Sequence, residues 1–200
     1  MVLRILEMLK RPFKAAVLPV KSRTFFSDQA VEAIVYVASR LDTPTIHGVL
    51  KIFYFADQHH LAEYGATATG DEYMAMRFGP VASESYNLMK AARGDEERQI
   101  KASYLELVAD AFNVINVKEV VPLRVPIMEL ISPAARESFD WAITAYGQKD
   151  FGERTADSHD RAWSEAWNNR QDGRSSAQMT LELIAAQMPN ASTLIAHLSA

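Results

Sequence analysis

The fold class that the sequence predicts is α+β, mainly α: a single compact helical domain carrying a small antiparallel β element. Three observations carry that expectation. Several segments repeat apolar residues with the 3.6-residue helical period between recognisable caps and stops. Two short stretches between them alternate instead, and are bounded by Gly and Pro. Finally, 200 residues with 48% hydrophobic and 23% charged side chains suit one well-buried core.

The elements follow in chain order. Residues 1–26 form a basic N-terminal extension holding Arg4, Lys10, Arg11, Lys14, Lys21 and Arg23 against Glu7, a net +5; the total is -4, so the other 174 residues carry -9. Its cations interrupt the apolar run that a secretory signal needs, and it reads instead as a short amphipathic helix, Met1 to Lys10, ending before Pro12. Ser27 is placed to cap a helix running through Leu41, with Val31, Ile34, Val35 and Ala38 on its apolar face and Phe26 where a hydrophobic staple begins. Thr43 and Pro44 read as N-cap and N1 of the next helix, which stops at Gly65.

A brief extended run from Tyr73 to Phe78 then leads through Gly79-Pro80 to a helix over Ala82–Ala92, closed by Gly94. A weaker helix spans Ile100 to Ala111. The β-branched stretch "FNVINVKEVVPLRVPI" suggests strands, and Pro122 and Pro126 confine the second to a sheet edge. Ser132 as cap, Pro133 at N1 and Gly147 as terminator frame a strong helix. In "SHDRAWSEAW", His159, Trp163 and Trp167 stand four apart, as on one helical face. The last helices are expected near Ala177–Met188 and Ala191–Leu198, the chain dividing into a main domain over 27–171 and a helical tail over 172–200 packed on it.

Chemistry-bearing residues are sparse. The sequence has no cysteine, which excludes disulfides, a thiol nucleophile and thiolate metal sites and fits a reducing, cytoplasmic setting. In "YFADQHHLAEYG", Asp57 and His60 share one helix face and His59 and Glu63 another, so the helix offers an ion two ligands at most. Asp57, Gln58, His59 and Glu63 fall off the apolar stripe, which favours a solvated polar face over a metal site. The carboxylates Asp71, Glu72 and Glu84 read as surface or helix-terminus charges. Phosphate-cradling glycine loops, G-x-S-x-G elbows and H-E-x-x-H helices are absent, so no cofactor is expected. The run Tyr73, Met74, Met76, Arg77, Phe78 combines residue types enriched in protein interfaces.

The blocks "VLKIFYFADQHHLAEYG", "TGDEYMAMRFGPVASESYNLMK", "LISPAARESFDWAITAYG" and "SHDRAW", in this order, resemble the Panacea domain of SocA-like antitoxins from toxin–antitoxin systems of bacteria and phages, over about residues 28 to 167. The resemblance implies a non-enzymatic protein that neutralises a cognate protein toxin by direct binding; one known mode in the family is as an adaptor presenting the toxin to an ATP-dependent protease. Contacts are expected from Tyr73, Met76, Arg77, Phe78, Gly79 and Pro80, with the N-terminal arm as a second contact region. The -9 body suits a basic toxin by electrostatic complementarity. Two alternatives stand beside this reading. A DNA-binding regulator of its own operon requires a basic recognition helix, which no segment after residue 26 supplies, so nucleic acid is not expected as the main partner. A small hydrolase built on Asp57, His60 or the acidic run requires those groups to converge. A homo-oligomer is compatible with each of these readings.

Overall fold

The computed structural model describes residues 24–97 and 100–198; the basic extension up to residue 23, with its expected Met1–Lys10 helix, lies outside the described residues. The fold is α+β and mainly α, built around one long helix. That helix, α2 (Ile46–Tyr64), is buried on nearly every side from Gly48 to Asp57, the pattern of a helix at the centre of a core. Helix α1 (Ser27–Ala38) lies beside it and buries nine consecutive residues, Ala30 to Ala38.

The start of α1 differs slightly from expectation: Ser27 is the first helical residue and Phe26 the N-cap, without a side-chain bond. The helix ends at Ala38, before Leu41, because the Ser39 hydroxyl and Arg40 guanidinium fold back to donate to the Tyr36 carbonyl. The cap of α2 is likewise Thr45, whose Oγ1 accepts from the Gly48 N–H at 3.0 Å, and not Thr43. The cause is a strand: Val120 N–H donates to the Pro44 carbonyl and Ile46 N–H to the Lys118 carbonyl, so residues 44 and 45 are held extended. Gly65 closes α2 at φ 75°, as its position suggested.

Strand β1 (Tyr73–Met76) turns through Arg77 and Phe78 into β2 (Gly79–Ala82), pairing Met76 with Gly79 and Tyr73 with Ala82. Gly79 and Pro80 therefore open a second strand, where an end to the extended run was expected. Helix α3 (Ser83–Arg93) follows, then α4 (Ala102–Val108). The hairpin β3 (Phe112–Ile115) and β4 (Glu119–Pro122) forms a separate two-stranded sheet. Helix α5 (Pro133–Tyr146) begins as expected, with Ser132 accepting from the Ala135 N–H.

Helix α6 (Phe151–Ser158), which was not anticipated, carries a full capping box between Asp150 and Glu153. His159 caps the C-terminus of α6 and so lies outside α7 (Arg161–Asn168), yet its ring still stacks on Trp163 at 3.5 Å. The expected helix over 177–188 divides into β5 (Ser176–Met179) and α8 (Leu181–Ala185). β5 satisfies the edge of β1 that β2 leaves open, giving the order β2-β1-β5. Helix α9 (Ala191–Leu198) is the last described element.

Candidate functional site

The two halves of α2 hold ionisable groups in opposite circumstances. In the second half, Asp57 is 2% exposed. Its Oδ1 accepts from the Ala68 and Thr69 N–H groups at 2.7 and 2.9 Å, and its Oδ2 from the Thr69 and Tyr73 hydroxyls at 2.5 and 2.8 Å. Burial pushes its carboxyl up to about 6 while these four donors pull it back. His59 meets the Ser138 hydroxyl at 3.1 Å and stacks on Trp141, and His60 meets the Ala66 carbonyl at 2.6 Å. The solvated face expected for this stretch is therefore largely buried, because the loop after Gly65 folds back over Asp57 and α5 covers His59. Asp71 is buried too: it accepts from the Glu84 and Ser85 N–H groups and so caps α3, whose own N-cap residue makes no side-chain bond. Among the described residues no three His, Asp or Glu side chains cluster as metal ligands do.

The first half of α2 faces the β1–β2 turn and α6. Lys51, 1% exposed, donates from Nζ to the Pro80 carbonyl at 2.7 Å, and burial pushes its amine down to about 7. Directly above it lies Gly79 at φ +101°: a Cβ there would come 2.8 Å from Lys51 Nζ and 2.5 Å from Ser158 Oγ, so this position tolerates only glycine without movement. On the other shoulder of the turn, the Trp163 indole N–H donates to the Met76 carbonyl at 2.9 Å. Held from both sides, the turn projects Phe78, 51% exposed, against Phe151, also 51% exposed, with ring centroids 5.5 Å apart. His47 packs under Phe151 at 4.1 Å; burial first, then the charges of Lys51 and Arg154, push its imidazole down to about 3, so it is neutral.

Two hollows meet at Ile46, His47 and Phe151. The first, of about 360 Å³, is a mainly apolar groove between Leu50, Lys51, Met76, Phe78, Val81 and Tyr86. The second, of about 770 Å³, is a cleft running from Phe151 and Arg154 to Val117 and Lys118 at the tip of the β3–β4 hairpin. A third hollow, of about 720 Å³, lies on the Asp71 and Glu84 side of the molecule and is acidic, with Glu72 and Glu182 also in its wall.

The structure divides the six residues expected to make contacts. Arg77 and Phe78 are exposed and Met76 is half-buried, all on the turn that faces the first groove. Tyr73, Gly79 and Pro80 are buried. Tyr73 is not available to a partner because its hydroxyl is spent on Asp57 and its ring packs on Tyr54; Gly79 and Pro80 shape the turn from beneath. His47, Lys51, Phe151 and Arg154, which complete the face, escaped the sequence reading. The D-x-x-E spacing of Asp150 and Glu153 is the signal that could have placed Phe151 and Arg154 on a helix.

The profile of the antitoxin SocA-like, Panacea domain family matches residues 49–164, more than half of the chain. The chain belongs to this family. The matched Panacea region begins within the first turns of α2 and ends in α7, and so takes in the β1–β2 turn, Phe78, Phe151, Lys51 and Arg154. It leaves α1 outside, where the resemblance in the sequence was read from about residue 28. No curated protein and no solved structure matches the chain. The family supports an antitoxin role. Among the described residues, no helix of this Panacea protein is long and apolar enough to cross a membrane.

Proposed function

We propose that this antitoxin neutralises a protein toxin by direct binding, without chemistry of its own, through the face where the β1–β2 turn meets the starts of α2 and α6. The observation that carries this reading is the exposed pair Phe78–Phe151 standing between two hollows on the family-defining region. Exposed aromatics beside an apolar groove are the usual anchors of protein interfaces, where burying one or two such rings supplies much of the affinity. A rigid mounting favours the same role. The turn is pinned by Lys51 and by Trp163, so little ordering is lost on binding.

The test is co-expression with the product of the neighbouring reading frame. Growth rescue and recovery of a stable complex are expected, and failure of both removes the proposal. Toxin half-life in the same cells separates the two modes: a shortened half-life marks delivery to an ATP-dependent protease, and an unchanged one marks neutralisation by occupancy alone.

A further inference from the structure

Arg154 has a chemistry that the fold does not use. It is 6% exposed, and among the described residues one of its five N–H donors finds an acceptor, the Gly147 carbonyl, at 3.3 Å. Its Nε is buried with no partner among them. Among the described residues no carboxylate stands within ion-pairing distance of it. A guanidinium that served only the fold would have its fork filled, since an unpaired buried charge is costly.

Its surroundings point the same way. Arg154 lies on the wall of the 770 Å³ cleft, with its guanidinium carbon 3.6 Å from where a Cβ on Gly48 would stand, in the first turn of α2. The N-terminal ends of α2 and α6 both border this cleft, and the dipoles of the two helices favour negative charge there. The acids nearby are already engaged: Asp150 in the capping box of α6, and Asp42 with the Gln148 amide. Ile46, Phe151 and Val117 add apolar surface to the lining. Val117 is 72% exposed and holds φ 67°, a conformation a β-branched residue adopts only under strain, and Arg93 Nη1 fixes its carbonyl at 3.0 Å.

We propose that Arg154 anchors a carboxylate of the toxin, an aspartate or glutamate side chain presented beside an apolar residue that packs on Phe151 and Val117. The proposal rests on the antitoxin reading of this face and names the chemistry it recognises. It also refines the electrostatic expectation. Although the body of the chain is acidic, the seat on this face is cationic, so the toxin segment that enters it is acidic whatever the toxin's overall charge.

The experiment uses the full chain, its Arg154→Met and Arg154→Lys variants, and the polypeptide from the neighbouring reading frame. Affinity is measured by calorimetry, and thermal melting is measured on each free protein with and without millimolar inorganic phosphate. Arg154→Met is expected to bind about 30-fold more weakly, the scale of a lost buried charge pair, and Arg154→Lys to lie between it and the unaltered chain. Free Arg154→Met is expected to melt no lower than the unaltered chain, because the substitution relieves a buried unpaired charge. Undiminished affinity of Arg154→Met overturns the proposal. So does a lowered melting temperature or failure to fold, which marks a structural arginine, and so does stabilisation by phosphate that Arg154→Met abolishes, which marks a site for a free anion. If the unaltered chain itself does not bind, the antitoxin reading falls and the inference with it.

Discussion

The two ends of α2 make an instructive contrast. Around Asp57 the ionisable side chains of α2 have their partners: four donors converge on one carboxylate, and His59 and His60 each meet an oxygen. Around His47 and Lys51, two turns earlier on the same helix, partners run short. Among the described residues Arg154 Nε and His159 Nε2 are buried without any, and the Lys51 amine has a single carbonyl. Burial alone does not distinguish these regions, and neither does charge. Saturation of the ionisable groups does: the filled network on Asp57 holds the fold, whereas a buried guanidinium with unused donors leaves capacity for a partner.

That contrast can be broken in several ways. The largest effect is expected from Asp57→Ala, which orphans four donors that tie the loop over residues 66–73 to α2. A loss of about 4 kcal/mol in denaturant unfolding is expected, and a loss under about 1 kcal/mol would mean that the network does not hold the fold. Gly79→Ala comes next. A Cβ at φ +101°, pressed against Ser158 and Lys51, should cost about 2 kcal/mol and tilt Phe78 out of its mounting, which unfolding and toxin affinity measured together would show.

The pH dependence sharpens the comparison with opposite signs. Lys51 falls from its ordinary 10.5 to about 7 in the folded chain. Between those values the unfolded chain holds the extra proton, so stability rises with pH, and Lys51→Met should flatten that rise. Asp57 moves from 3.8 up to about 6. Here the folded chain holds the extra proton, so stability falls as pH climbs through that window. Equilibrium unfolding across both windows reads the two slopes separately. The smallest stability effect is expected from Phe78→Ala with Phe151→Ala, within about 1 kcal/mol, since both rings are half exposed.

Much of the fold was legible because its signals are local. Gly65 at the end of α2, Ser132 and Pro133 at the start of α5, and Gly94 after α3 sit where caps and stops belong. The family-bearing blocks were equally plain. What was hidden depends on distant chain segments. β5 becomes a strand only because β1 presents an open edge far away in sequence. Asp57 looked like a surface acid because its donors come from a loop that returns over the helix, and no periodicity encodes that return. The site was half visible for the same reason. Arg77 and Phe78 belong to one turn and could be read together, whereas Lys51, Phe151 and Arg154 join them only in the folded chain. Lys51 in particular appears in sequence as one polar break in an apolar run, with nothing to say that it is buried beneath Gly79.

The most direct test of the account measures, in one experiment, complex formation with the neighbouring gene product and the melting temperature of the Phe78→Ala, Phe151→Ala double variant. The account expects a variant that melts close to the unaltered chain and no longer captures the toxin or rescues growth. A double variant that binds and rescues as well as the unaltered protein would contradict it, and would place the toxin interface elsewhere on the molecule.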